Sequence, residues 1–293
     1  MHATSLFAGA VAALARDCAA TTVVDLGAGH GELLRGLHRR APDLELIGVE
    51  LAERPDGLPG DVGWVAQLPD ELVGALVVAN EWLDDIPLDV VEIDEMNRPR
   101  LVHVDPATGA ERLGDIPEPA ELRWLARWWP LDDAEPGDRA EIGLPRDQAW
   151  TDVVRRVRRG VTVAIDYCHR RADRPLAGTL AGYCAGRVVP PVPDGSCNIT
   201  AHVALDACAS AGVDAGADTT LLTTQRRALR VLGVDGASPP PGLAAADPAA
   251  YLSALSRASE AAELLDPAGL GGFGWLIQTV DQSLPDVLAE LAC

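Results

Sequence analysis

Short apolar runs recur along the chain, most of them in its first part. Residues 22–26 (TVVDL), 44–50 (LELIGVE), 62–66 (VGWVA), 74–80 (GALVVAN) and 161–167 (VTVAIDY) are of this kind. Runs of this length, without clean alternation and separated by helical or turn segments, predict strands buried on both faces, hence a parallel sheet. Residues 31–40 place Leu33, Leu34 and Leu37 inward on a helix. At the start, Phe7, Val11 and Leu14 fall at helical spacing, which predicts a core-facing helix leading into the first strand.

The rhythm then changes. LDVVEID and RLVHVD flank EMNRP and predict an antiparallel hairpin over 88–105. A Trp-rich helix is expected over 118–129, with Leu122, Leu125 and Trp129 along one face; Trp124, Trp128 and Trp129 read as core ahead of a binding groove. Another helix is expected over 146–159, its arginines at the C-terminal end and Gly160 as the cap. A Gly/Pro-rich loop follows to about 198, then a helix over 199–212 and a strand within 213–223. A short helix (TTQRRALRVLGV), a loop over 238–248, a helix over 249–265 and a strand over 273–280 complete the chain.

Composition narrows the classes. All 24 basic residues are arginine, and the formal net charge of −20 argues against a nucleic-acid or anionic-membrane surface. It suits a basic partner, although solubility alone accounts for it. The cysteines at 18, 168, 184, 197, 208 and 293 contain no C-x-x-C pair and no zinc spacing with histidine, so no metal site is expected and the cytoplasm is the expected compartment. The apolar start has no Lys or Arg ahead of its run, which favours a helix over a secretory leader. No stretch is long and apolar enough to suggest a membrane span.

The chemistry concentrates at VVDLGAGHGELL. A strand, then D-x-G-x-G-x-G, then a helix sets bare backbone beside a ligand at the carboxyl end of a strand, where a Cβ would block approach or dihedral angles. The third glycine, Gly31, comes one residue too early for the usual dinucleotide fingerprint G-x-G-x-x-G, and Asp25 precedes the turn. A carboxylate there suits an amino group or cation better than a diphosphate. Glu50 ends the second strand about 20 residues on, where a carboxylate accepts both hydroxyls of an adenosine ribose. A ribose with a positively charged tail describes S-adenosyl-L-methionine.

With Glu50, this motif resembles the class I S-adenosylmethionine-dependent methyltransferases. Further segments resemble, in order, the MidA-like family, which includes a mitochondrial complex I assembly arginine methyltransferase. They are VVANEWLDDIP (77–87), AEIGLP (140–145), RRGVTVAIDY (158–167), GTLAGYCAGR (178–187), NITAHVAL (198–205), LLTTQRRALRVLGV (221–234) and GLGGFGWLI (269–277). Departures are Asn198 where the family has Asp, Cys168 where it has Gly, a missing His after the Gly-Thr-Leu segment, and a start that looks like a shortened N-terminus. The resemblance implies an α/β, Rossmann-like seven-stranded methyltransferase sheet with helices on both faces and one antiparallel strand near the C-terminus. It implies a single domain over 1–293, a small hairpin and helix lobe inserted at 88–150, and a substrate-side loop at 168–200.

The expected cofactor contacts are Asp25, Gly27, Ala28, Gly29, Gly31, Glu50, Gln67 (at the adenine edge) and Asn80 (at the backbone or methionine tail). The expected catalytic residues are Glu81 and Asp84 as acceptor ligands, with Asp166 closing the acceptor pocket. Carboxylates at that strand-end rim suit a guanidine, whose planar fork they hold in bidentate fashion. Asp85 reads equally as a solvated loop acid, Asp166 equally as a structural acid, and His202 more as a structural histidine. The implied activity is methyl transfer to a protein side chain such as arginine. A catalytically degenerate assembly or scaffold protein and a small-molecule methyltransferase stand as alternatives, and the oligomeric state is open.

Overall fold

A computed structural model describes residues 5–291; Cys293 and the first residues of the apolar start lie outside them. The chain divides into two compact units. The first comprises Met1–Trp82, Val153–Ile165 and Ala215–Cys293; the second comprises Leu83–Asp152 and Asp166–Asp214.

The first unit is built on a seven-stranded sheet. Its strands are β1 (Thr22–Leu26), β2 (Glu45–Val49), β3 (Gly63–Val65), β4 (Leu72–Asn80), β5 (Val157–Asp166), β6 (Thr219–Thr224) and β7 (Gly274–Val280), in the order β6-β7-β5-β4-β1-β2-β3. Pairings from β3 through β5 are parallel, and β6 with β7 is antiparallel. All five residues of β1 are buried, as its two parallel neighbours require. The expected mixed α/β fold with a seven-stranded, mostly parallel sheet is the observed one. Helix α1 (Ser5–Asp17) buries Phe7, Val11 and Leu14 as their spacing predicts, and α2 (Glu32–Arg40) buries Leu33, Leu34 and Leu37. In register, Leu26 faces Val49 on one side and Ala79 on the other, and Asn80 faces Ile165. The residues following β1, β2 and β4 therefore emerge along one carboxyl edge of the sheet.

The end of the helix expected over 146–159 differs from expectation. The helix of residues 144–156 stops at Arg156, and β5 begins at Val157, so Gly160 lies inside a strand and is not a helix cap. Its φ of 157° is essentially extended, and a Cβ there would collide with the Ala75 carbonyl oxygen, beside the register shifts between β4 and β5. Glycine serves close strand approach at this point.

The second unit is antiparallel in character. The expected hairpin is the pair Asp89–Ile93 and Pro99–Val104, within a four-stranded sheet that also holds Glu111–Leu113 and Arg139–Ile142. Its turn is closed by Asp94, whose carboxylate accepts the N–H groups of Met96 and Arg98. The Trp-rich helix, Pro119–Trp128, starts with a capping box between Glu118 and Glu121. Trp124, Leu125 and Trp129 pack with Val91, Ala140, Ile142, Ala204 and Ala207, which makes Trp124 and Trp129 core residues.

Within 168–200 the backbone forms a three-stranded sheet (Arg187–Val189, Ala181–Cys184, Asn198–Thr200) and the strand Cys168–His169, which pairs in parallel with Val203–Ala204. The helix expected from 199 begins only at Leu205. Thr200 is drawn into the sheet by pairing with Ala181, and its hydroxyl donates to the carboxylate of Asp84 at 2.7 Å. His202 consequently sits in the turn between two strands, outside any helix.

Candidate functional site

At the carboxyl edge of the first unit's sheet, the chain turns on three glycines with positive φ: Gly27 at 74°, Gly29 at 53° and Gly31 at 73°. The N–H groups of Gly27 and Ala28 both donate to the Val49 carbonyl, at 2.9 and 3.2 Å, which ties the turn to the end of β2. A Cβ on Gly27 would lie 2.8 Å from Trp82 Cδ1, whereas one on Gly29 would meet nothing within 4 Å. The turn is thus packed behind Gly27 and open at Gly29. Gly31 caps α2 from a left-handed conformation that glycine adopts without strain.

Glu50 follows β2 and reaches back to the turn. Its Oε2 accepts the Gly29 N–H at 3.0 Å, and its Oε1 accepts the N–H groups of Leu51 and Ala52 at 2.7 and 3.1 Å. Asp25 is 5% exposed, and burial, reinforced by the charges of Glu32 and Glu50, pushes its carboxyl up to about 7. A cation close to Asp25 would remove that penalty. At the end of β4, Asn80 donates to Glu81 Oε1 at 3.5 Å, while its own Oδ1 is buried without a hydrogen-bond partner. A buried acceptor left unmade is costly, and here it faces the question of which donor fills it. Glu81 has a φ of 49° and is half-buried, with its N–H on the Ile165 carbonyl at 2.9 Å. Gln67 is exposed, two residues beyond β3.

These residues fit S-adenosyl-L-methionine. Glu50 offers carboxylate oxygens to a ribose, the open backbone at Gly29 admits the ligand, and Asp25 and the orphaned Asn80 Oδ1 suit an ammonium group. When bound, the cofactor supplies an activated methyl group on a cationic sulfur. What the chain contributes here is position and a negative environment.

The second unit holds a separate buried cluster. Asp166 is 1% exposed, and its Oδ2 accepts the N–H groups of Leu83 and Asp84 at 3.1 and 3.2 Å, the structural use weighed for it from sequence. Asp84 is 7% exposed and held by Thr200 at 2.7 Å, whereas Asp85 is exposed.

Two residues absent from the sequence reading organise this cluster. The Arg146 guanidinium is buried and donates to the carbonyls of Asp84 (2.7 Å), Ile86 (3.2 Å), Ala201 (2.9 Å) and His202 (3.1 Å). Burial pulls its pKa down, against the opposing charges of Asp166, Cys208, Asp84 and Glu141. Glu141 accepts the Thr179 hydroxyl at 2.8 Å, the Leu180 N–H at 2.8 Å and the Thr179 N–H, and its Oε2 is 3.9 Å from His169 Nε2. Burial would raise the Glu141 carboxyl, but the nearby His169 ring and the bonds from Thr179 and Leu180 prevail and hold it below the ordinary value. The available signal was a charge inside a run of buried positions: Glu141 lies between Ala140 and Ile142 on a strand buried at all three.

A seven-stranded sheet in this order, with a glycine turn and an acid at the end of each of two neighbouring strands on its carboxyl edge, fits an S-adenosylmethionine-dependent methyltransferase. Residues 6–223 match the family described as "Putative S-adenosyl-L-methionine-dependent methyltransferase", and the chain belongs to that family. The chain is similar, at 29% identity, to a candidate methyl transferase from Burkholderia thailandensis whose crystal structure holds S-adenosyl-homocysteine; the match covers 98% of this chain and 79% of that one, with a TM-score of 0.76. A native crystal structure of an uncharacterized protein from the same organism and superfamily matches at 29% identity over 97% of this chain and 82% of that one, with a TM-score of 0.78. No curated protein matches the chain. The chain is therefore an enzyme, an S-adenosyl-L-methionine-dependent methyltransferase. No helix among the described residues is long and apolar enough to cross a membrane.

Proposed function

We propose that the chain is a MidA-like enzyme that methylates a protein side chain bearing a guanidinium, such as arginine, with Glu81 and Asp84 as ligands of the acceptor. The observation that carries this reading is the treatment of Asp84: its backbone N–H and carbonyl are fixed by Asp166 and Arg146, and one carboxylate oxygen by Thr200. A carboxylate held in one orientation suits a planar fork of N–H donors, because bidentate pairing rewards orientation as well as charge. The net charge of −20 favours encounter with a basic partner. Asp166 acts through the backbone of residues 83–84 in this reading. The scattered cysteines without a C-x-x-C pair support the cytoplasm as the compartment.

The test is transfer of isotope-labelled methyl from S-adenosylmethionine to a panel of arginine-bearing proteins by the full chain, with the label mapped by mass spectrometry. Label on arginine is expected. Glu81→Gln and Asp84→Asn should each lower the rate about tenfold or more, the scale of one charge-assisted hydrogen bond. Label found only on small molecules, or on hydroxyl or carboxyl groups, overturns the reading.

A further inference from the structure

We propose that His202 is the proton acceptor for methyl transfer, its neutral imidazole taking the proton that the acceptor nitrogen sheds. The inference rests on the reading that a nitrogen acceptor binds at Asp84. Three consecutive residues fix the turn that bears His202. Thr200 donates to Asp84 at 2.7 Å, and the carbonyls of Ala201 and His202 accept from Arg146 at 2.9 and 3.1 Å. The His202 N–H donates to the Thr179 hydroxyl at 2.8 Å, and that hydroxyl donates in turn to Glu141. Because Arg146 also binds the Asp84 carbonyl at 2.7 Å, one guanidinium holds the main chains of Asp84 and His202 together.

The ring is treated differently from the backbone. It stacks on Tyr167 at 5.8 Å and 21°, and lies 6.4 Å from the His169 ring at 30°. The hydrogen bonds of His202 run through its main chain, and no side chain among the described residues bonds either ring nitrogen. His169 makes the contrast. Arg174, which only donates, meets His169 Nδ1 at 2.6 Å, so a neutral His169 keeps its proton on Nε2, the nitrogen 3.9 Å from Glu141. His169 is held by Arg174 at Nδ1, and its Nε2 is buried without a hydrogen bond, while the half-buried ring of His202 keeps a lone pair available.

The charges facing His202 agree. Its pKa is lowered, first by burial and then by His169 and Arg146, with Glu141 and Asp84 opposing; the remaining titratable neighbour is the phenol of Tyr167. In the step proposed, the acceptor nitrogen forms a bond to the methyl carbon, the carbon–sulfur bond breaks with its electron pair passing to sulfur, and the N–H proton moves to the imidazole. The imidazolium then returns that proton to solvent.

Two measurements on the full chain test this. The first is an NMR titration of histidine-labelled protein with S-adenosylhomocysteine bound, His202 being assigned by its loss in His202→Gln. A ring that titrates below the ordinary value of about 6.5 is expected, and one that titrates at or above it overturns the inference. The second is the pH dependence of kcat with an arginine-bearing acceptor protein. His202→Ala should lower kcat about 10²–10⁴-fold, remove the acidic limb of the profile, regain rate with added imidazole, and bind S-adenosylhomocysteine as the wild type does. Wild-type kcat, or a loss that imidazole does not restore in a variant with normal cofactor affinity, overturns it. If no arginine-bearing protein is labelled, the acceptor reading falls on its own, and the titration, which needs no acceptor, decides the role of His202.

Discussion

In the first unit, the Gly29 N–H and its Glu50 acceptor are 21 residues apart in the chain, and the turn itself occupies consecutive positions. In the second, Asp84 meets a hydroxyl 116 residues away and a guanidinium 62 residues away. The glycine turn leaves backbone bare, and a Cβ at Gly27 would crowd Trp82. The buried cluster works by satisfying four carbonyls with the one charged donor Arg146. A local device of the first kind fails by steric exclusion. A distributed one fails by leaving charges and carbonyls without partners, which costs more because several segments depend on one side chain.

That contrast can be broken most severely at Arg146. Arg146→Met leaves four carbonyls without their donor and removes the cation among Asp84, Asp166 and Glu141; a loss of about 3–5 kcal/mol is expected, read as a lower midpoint in thermal or urea unfolding. Gly27→Ala should leave the unfolding midpoint closer to wild type and act on the cofactor. Its positive φ and the contact with Trp82 cost about 1–3 kcal/mol, which calorimetry should register as S-adenosylhomocysteine affinity lowered roughly tenfold or more.

The pH response sharpens the comparison further. Asp25 has a folded pKa of about 7 against 3.8 for an ordinary aspartate, so the folded state binds its proton more tightly than the unfolded chain. Its contribution to stability therefore falls as pH rises from near 4 to near 7 and is level above that. Binding of an ammonium group calls for the ionised form, so affinity for S-adenosylhomocysteine should be about tenfold weaker one unit below the Asp25 pKa than well above it. Calorimetry near pH 7 should show proton release on binding, and Asp25→Asn should abolish it. The smallest effect is expected at Asp147, raised to about 6 chiefly by burial and bonded by Trp124 Nε1 at 2.7 Å. Asp147→Asn keeps an acceptor for the indole and removes the titration. The unfolding free energy at pH 8 should hold or rise by no more than about 1 kcal/mol, with a flatter slope between pH 4 and 6.

The glycine turn and its place on the sheet edge were legible because their signals are short-range: a buried run, a strand-end acid, closely spaced glycines, and a second acid one strand later. Strand ends in a parallel sheet share an edge, so Asp25, Glu50 and Asn80 could be brought together from spacing alone. Gln67 was the weak member, since β3 is only three residues long and the loop beyond it has no periodic constraint. The second unit was harder to read. The hairpin showed its turn chemistry, but Arg146 stood in an ordinary helix start and Glu141 in a four-residue strand, with partners on distant segments. The helix boundary at 199 failed for the same reason, because the force on Thr200 comes from Ala181 and Asp84.

The division of the chain also bears on its birth. The first unit takes residues from the beginning, the middle and the end of the sequence, while the second is complete at Asp214. During synthesis, β6 and β7 are the last strands of the seven-stranded sheet to leave the ribosome, so that sheet waits for residue 280 before it can close. The second unit can finish earlier, although its chain lies inside the first. A ribosome stalled soon after residue 214 should present a protease-resistant second unit beside an open sheet whose unpaired strand edge, until the final strands arrive, is a site for chaperones.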